Sequence, residues 1–421
     1  MHVRFSRFDE RPEIDEFCEL VRSAGVEPAG VVLARRRAPA ARAFVGKGKL
    51  DEIAALVKSE GARLAIFNHE LTPSQQRNLE KALECRVMTR TELILHIFAS
   101  RARTHEGQLQ VELAQLSHAQ TRLVRGWTHL DRQKGGIGLK GAGETQIELD
   151  ARMLADRVGV IESRLDKVRK QREQGRRRRR RAEVPSVALV GYTNAGKSTL
   201  FNRLTDSRVV EADRLFATLD PTLRKLALDG AGEVVVADTV GFIRDLPHTL
   251  VEAFKATLQE VVEATLLLVV VDATDADLEE RQKQVDAVLK EIGADAPRLV
   301  AMNKIDALAD ARASIERDAS GAPERVWLSA RTGDGVDLLR EAIGELIAGR
   351  ARSRRIGLAP SAGRTRAWLY RRGAVVREET AEDGSWMLTV RLSDEALSRL
   401  AKEPGVSLQG HQGVHRISPS P

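Results

Sequence analysis

The sequence predicts an α/β fold: a mostly parallel six-stranded sheet, with a small α/β unit and a helical hairpin before it and a small α+β unit after it. Three observations carry this. Apolar runs at 187–190, 223–228, 233–237, 266–271, 298–302 and 326–328 alternate with helix-like segments, the pattern of strands covered on both faces by helices. Residues 191–198 form a complete GxxxxGK[ST] loop, between a strand-like run and a helix start. Upstream, two apolar stripes alternate spacings of four and three, so each places one narrow seam along a helix.

Taken in order, residues 1–25 are charged and mixed and read as a partly ordered lead-in. From Val31 to about Arg103, strand-like runs (Val31-Val32-Leu33, Ala43-Phe44-Val45, Leu64-Ala65-Ile66-Phe67) alternate with helix-like ones, a small α/β unit ending near residue 105. Thr72-Pro73 reads as an N-cap followed by proline at the first helical position. Gly46-Lys47-Gly48-Lys49 lacks the spacing and trailing Ser or Thr of a phosphate loop, and reads as a strand-to-helix turn.

Residues 106–183 carry the two seams: Leu109, Leu113, Leu116, Gln120 and Leu123, then Ile147, Ala151, Leu154, Val158, Ile161, Leu165 and Val168. They predict an antiparallel coiled-coil hairpin whose tip is glycine-rich and basic, with Arg125, Arg132, Lys134 and Lys140. The six arginines 176–181 follow, a charge run that reads as linker and as a phosphate-binding footprint. The sheet unit spans 184–350. The last unit, 351–421, shows strand-like runs at 366–370, 374–377 and 386–392, and a helix from Ser393, whose side chain suits a cap.

The phosphate loop is Gly191-Tyr192-Thr193-Asn194-Ala195-Gly196-Lys197-Ser198. Its glycines let several backbone N–H groups face an anion, Lys197 reaches the β/γ-phosphates, and the Ser198 hydroxyl suits Mg²⁺. Asp238-Thr239-Val240-Gly241 ends an apolar run; its carboxylate suits an indirect Mg²⁺ contact and Gly241 can give its N–H to a γ-phosphate. Asn303-Lys304-Ile305-Asp306 ends another run. A carboxylate there accepts two N–H bonds from the guanine edge, which adenine lacks. Ser329-Ala330, with Arg331, forms a short turn able to offer N–H to guanine O6. In this order, each at the end of an apolar run, the motifs predict a GTP/GDP site outside the carboxyl ends of the strands. Lys197, Thr218 and Gly241 are the candidates for catalysis; Ser198 and Thr218 are those for the metal.

A nucleotide switch needs a loop whose hydroxyl reaches Mg²⁺ only with the γ-phosphate present. Phe216-Ala217-Thr218-Leu219-Asp220-Pro221-Thr222 supplies Thr218, with Thr222 as competitor. That string, and 238–248 (Asp-Thr-Val-Gly-Phe-Ile-Arg-Asp-Leu-Pro-His), resemble the HflX family of ribosome-associated GTPases. So do Val45-Gly46-Lys47-Gly48-Lys49-Leu50, and Gly135-Gly136-Ile137-Gly138 through Gly143-Glu144-Thr145-Gln146. The resemblance covers roughly residues 30 to 350. It implies Mg²⁺ on Ser198 and Thr218, guanine on Asn303 and Asp306, and a monomer acting in the cytoplasm on the large ribosomal subunit and its rRNA, in some members splitting stalled ribosomes. Ribosome assembly or RNA modification, and a switch acting on a protein partner, stay open as alternatives. Phe242 stands where many guanine switches carry a water-orienting Gln, so intrinsic hydrolysis is expected to be slow. Asn194 makes K⁺ a second candidate ion, since related GTPases with Asn there hold potassium against the phosphates.

Composition sets further bounds. The chain has 421 residues and a net charge of +7, enough for two to four units with a mildly basic surface. No apolar run reaches membrane-spanning length, and the first residues show no apolar signal core. Cys18 and Cys85 form no framework and read as reduced. His105-Glu106 lacks the second histidine of a metalloprotease pair, and no metal beyond nucleotide-bound Mg²⁺ is expected.

Overall fold

The computed structural model describes residues 1–4, 11–127, 146–181, 184–206, 215–216, 218–228, 232–244, 255–349, 351–371, 374–381 and 383–408. It begins with β1 (His2–Arg4), α1 (Arg11–Ser23), β2 (Leu33–Arg35), α2 (Lys47–Glu60), β3 (Leu64–Phe67), α3 (Pro73–Leu83), β4 (Arg86–Thr89) and α4 (Arg90–Arg101). β1 pairs with β2 and β3 with β4, both in parallel. The expected lead-in is instead a strand and a helix. The buried Phe17, Leu20 and Val21 lie on one face of α1, a periodicity masked by the acidic residues Glu13, Asp15, Glu16 and Glu19 around them. The run 43–45 is no strand. Phe44 sits at φ 63° and makes only an isolated bridge with Ala40, and a bulky residue at positive φ cannot continue a strand. Thr72 caps α3 as predicted: its Oγ1 accepts from Gln75 N at 3.2 Å and the Gln75 side chain returns to Thr72 N at 3.0 Å.

α5 (His105–Trp127) and α6 (Gln146–Arg181) pack along the predicted seam. Leu109, Ile161 and Leu165 are buried, with Leu113 and Leu116 against them. Between residues 151 and 168 only Ala151, Leu154, Val158, Ile161, Leu165 and Val168 are withdrawn from solvent. Arg157 and Arg172 of α6 reach Glu112 (2.5 Å) and Glu106 (2.7 Å) of α5. The other face of α5 carries Val111 and Ala114 into a core with α1 and α4. The glycine-rich tip at 128–145 lies outside the described residues, with Arg132, Lys134 and Lys140. Arg176 to Arg181 are not an extended linker; they are the last residues of α6, consistent with the good helix propensity of arginine.

The central sheet comprises β5 (Ser186–Gly191), β6 (Thr222–Leu228), β7 (Gly232–Asp238), β8 (Leu266–Asp272), β9 (Arg298–Asn303), β10 (Ser314–Arg317) and β11 (Pro323–Trp327), in the order β10-β11-β9-β8-β5-β7-β6. Five strands are parallel, and the edge strands β6 and β10 run antiparallel to their neighbours. It has one strand more than expected. β10 is polar and mostly exposed, and such an edge strand leaves no apolar run. One face packs on α7 (Lys197–Thr205), and the other on α8 (Lys255–Val262) and α9 (Leu278–Glu291), while α10 (Val336–Gly349) joins α7 on the first face. β5 has β7 on one side and β8 on the other, so connections diverge at its carboxyl end, the switch point where ligands of such sheets bind.

Beyond it, β12 (Ala351–Leu358), α11 (Gly363–Arg371), β13 (Val375–Thr380), β14 (Trp386–Ser393), α12 (Asp394–Leu400) and β15 (Val406–Leu408) form an antiparallel sheet ordered β13-β14-β12-β15 with its helices. The expected strand at 366–370 is part of α11, with Leu369 buried; short apolar runs do not separate the two periods. β12 was missed because arginines at 352, 354 and 355 interrupt its apolar residues. Among the described residues no helix is long and apolar enough to cross a membrane.

Candidate functional site

At the carboxyl end of β5 the backbone turns through conformations few residues tolerate. Gly191 has φ 145°, and a side chain there would collide with the Val270 carbonyl of β8. Asn194 (φ 60°) and Gly196 (φ 88°) complete the turn, and α7 starts at Lys197. The loop opens on a cavity of about 440 Å³. Thr193, Asn194, Gly196, Lys197 and Ser198 line one side; Phe216, Thr218, Thr239 and Gly241 a second; Asn303, Lys304, Asp306, Ala330 and Arg331 a third. Segments separated by more than a hundred residues thus converge. Thr199 and Ala307 also line it; each directly follows a motif residue, which is the signal that could have found them.

Nine predicted residues stand behind this wall. Gly191 and Ala195 shape the loop. Ile305 is core, and Ser329 donates to Asp306 Oδ1 at 2.5 Å. Asp238 contacts the lining hydroxyls from below. Tyr192, Leu219, Asp220 and Val240 face away, and this corrects their assignment as nucleotide contacts in side-chain terms. Tyr192, Leu219 and Val240 are buried with apolar residues of α1, α4 and α5, whose existence the local motif does not announce. Ala217 lies outside the described residues.

Lys197 is buried and donates to the Tyr192 carbonyl at 2.7 Å. Burial pulls its ammonium down to about 8, and the nearby Asp238 partly opposes this; a phosphate chain in the cavity would offset the same desolvation. Asp238 Oδ2 accepts from Ser198 Oγ (2.8 Å) and Thr218 Oγ1 (2.9 Å), and the two hydroxyls are 2.7 Å apart. Asp238 Oδ1 is buried without a protein partner, and burial pushes this carboxyl up. Two converging hydroxyls over a carboxylate with an orphaned oxygen suit a hard, oxygen-liganded ion with its water, as Mg²⁺ demands. Of the two candidate switch hydroxyls, Thr218 lines the cavity, whereas Thr222 is the first residue of β6 and does not. A side chain on Gly241 would crowd Lys197 Nζ at 2.8 Å, so glycine is required for a close approach here. Thr193 Oγ1 is also buried without a partner.

Asn303 is a brace. Its Nδ2 donates to the Ala195 carbonyl and its Oδ1 accepts from Ala330 N, both at 2.8 Å, which ties the phosphate loop to the 329–331 turn. Asp306 keeps its second oxygen paired with Arg331 at the cavity mouth; guanine's two N–H groups present the same kind of donor edge. Lys304 (φ 69°) holds Asp272 at 2.7 Å. Arg203 of α7 supports the turn through the Ala330 and Arg331 carbonyls at 3.3 and 2.6 Å, a contact no motif revealed. Phe242 is buried in the core beneath the sheet and faces away from the cavity, so no group takes the place of a water-orienting side chain at that position.

A larger cavity, about 630 Å³, lies behind the phosphate loop between α1 and α9. It lacks the loop's lysine and serine, so the smaller one is the phosphate site. Its wall belongs to a seam with a polar centre. Arg90 Nη2 donates to Glu16 Oε1 at 2.7 Å and to the Arg244 carbonyl at 2.9 Å. The Tyr192 hydroxyl donates to Glu16 and accepts from Arg244 N at 2.7 Å; burial and the Glu16 carboxylate raise its pKa well above the usual phenol value. Glu13 pairs with Arg244.

Comparison with known proteins follows this geometry. Four family models match in succession: GTP-binding GTPase N-terminal (11–99), GTP-binding GTPase middle region (101–179), 50S ribosome-binding GTPase (186–304) and HflX C-terminal domain (314–412). The chain is 55% identical over 404 residues to the GTPase HflX of Escherichia coli, covering 96% of this chain and 95% of that protein. It is 44% identical over 402 residues to the GTPase HflX of Magnetococcus marinus, covering 94% and 92%. A crystal structure of a GTP-binding protein from Sulfolobus solfataricus with GDP aligns at 23% identity and TM-score 0.43, covering 83% of this chain and 98% of that one.

Proposed function

Because this chain belongs to the HflX family of GTPases, we propose that it uses its GTP cycle to control association with the large ribosomal subunit, held through rRNA phosphates. It binds GTP and hydrolyses it to GDP and phosphate. The working units in this reading are residues 1–105, 106–183, 184–350 and 351–421. Lys197 and the loop N–H groups hold the phosphates, and Asp306 selects guanine. Ser198 and Thr218 would hold Mg²⁺, which neutralises charge on the phosphates when bound. Thr218 tells GTP from GDP because it stands on a separate loop. The water-orienting group comes from the bound ribosome, since Phe242 is turned into the core. Asn194, on the cavity wall, is the residue that would hold K⁺.

One observation carries the ribosomal part. α6 is a single helix bearing Arg169, Lys170, Arg172 and six consecutive arginines to Arg181, and β5 starts at Ser186. A dense cationic helix binds phosphates by displacing counterions, with affinity that falls steeply with salt. Replacing 176–181 with Gln should weaken co-sedimentation with large subunits about tenfold near physiological salt and flatten its salt dependence, with intrinsic hydrolysis unchanged. An unaltered salt slope would show the run to be solvated and the contact to lie elsewhere.

A further inference from the structure

We infer that Asp220 is a positioning residue for GTP hydrolysis. Its carboxylate seats the loop bearing Thr218 on the first turn of α5, and Thr218 meets Ser198 and Asp238 only while that seat is filled. This rests on the reading of Ser198 and Thr218 as the Mg²⁺ hydroxyls.

Asp220 stands two residues after Thr218, yet both of its oxygens point out of the nucleotide cavity. Oδ2 accepts from the backbone N–H groups of Arg103 (3.0 Å) and Thr104 (2.9 Å), and Oδ1 accepts from the Thr104 hydroxyl. Thr104 Oγ1 itself accepts from Gly107 N at 3.0 Å, capping α5. A carboxylate at a helix N-terminus also meets the positive end of the helix dipole. The helix does not need this aspartate as its cap, because Thr104 already fills that role.

Gly107 supplies the independent observation. Glycine is a poorer helix former than alanine, and Gly107 has no positive φ to require it. A Cβ at this position would collide with Asp220 Oδ1 and lie 3.2 Å from Thr104 Oγ1. Space for the incoming carboxylate accounts for the glycine. Apolar contacts back the seat: Phe216 and Leu219, on either side of Thr218, are buried in the core shared with α4 and α5, and Phe216 meets Phe98 edge-on at 4.6 Å. Since α5 is one arm of the hairpin, a partner that shifts the hairpin shifts the seat, and with it Thr218.

The test uses the full chain and four variants, Thr218→Ala, Asp220→Ala, Gly107→Ala and Gly107→Ala/Asp220→Ala. It reads single-turnover GTP hydrolysis, its Mg²⁺ dependence, and GDP affinity. Asp220→Ala should slow hydrolysis about tenfold and raise the Mg²⁺ needed for half-maximal rate by a similar factor, as expected for losing charge-assisted hydrogen bonds. GDP affinity should stay within about twofold, because Thr218 serves the GTP state alone. Gly107→Ala, which acts from the opposite side, should reproduce the effect, and the double variant should be no worse than either single one. A wild-type rate and Mg²⁺ requirement for Asp220→Ala, with Thr218→Ala impaired, would overturn the inference and leave the metal reading standing. Multiplying losses in the double variant, or an equal loss of GDP affinity, would overturn it too. Wild-type behaviour of Thr218→Ala would remove the metal reading and this inference together.

Discussion

The nucleotide cavity and the seam behind it share one loop and are built in opposite ways. The cavity is polar. Its walls are made of short contiguous strings, most of them at the carboxyl ends of strands. The seam is apolar, with a buried ionic centre whose partners lie far apart in the chain: Glu16 meets Arg90 and Tyr192 across 74 and 176 residues. Tyr192 belongs to both, its carbonyl holding Lys197 on one side and its hydroxyl holding Glu16 on the other. Chemistry that recognises a small ligand needs fixed local spacing. Chemistry that holds one folded unit against another needs only that two surfaces meet.

If the two regions are separable, substitutions in each should leave the other's readout alone. The largest effect is expected in the seam. Arg90→Ala leaves the buried Glu16 without its cationic partner, which should cost about 3–5 kcal/mol in denaturant unfolding, with the preference for guanine over adenine nucleotides intact. A loss of base preference would merge the regions. Next, Asp306→Asn should weaken GTP binding about 100-fold and relax discrimination against xanthine nucleotides, whose extra carbonyl accepts from the new amide. Stability should barely change. Retained GTP preference would remove Asp306 from the base site. The smallest effect sharpens the boundary. Tyr192→Phe removes one hydroxyl from the seam and should cost about 1–2 kcal/mol of stability, while GTP affinity measured by titration stays put. A parallel fall in GTP affinity would mean that the seam sets the phosphate loop's shape.

The same contrast explains what the sequence revealed. That Lys197, Ser198, Thr218, Gly241 and Asp306 would meet around one cavity was legible, because each sits in a motif of fixed local spacing. The parallel strands were legible as continuous apolar runs, and the hairpin seam as a heptad stripe. Asp220 was misread as a nucleotide contact because it sits inside a motif, while its partner Thr104 lies more than a hundred residues upstream. Arg203 gave no signal, since one arginine on a helix face resembles any other. β10 and β12 stayed hidden because polar edge residues erase alternation, and α1 because acidic residues break up its apolar face.

The central claim is that nucleotide state governs affinity for the large subunit. Co-sedimentation of the full chain with purified large subunits, in a non-hydrolysable GTP analogue and in GDP, at two salt concentrations, tests it directly. The account predicts binding at least about tenfold tighter with the GTP analogue, weakening in both states as salt rises. Equal binding in the two nucleotide states would contradict it.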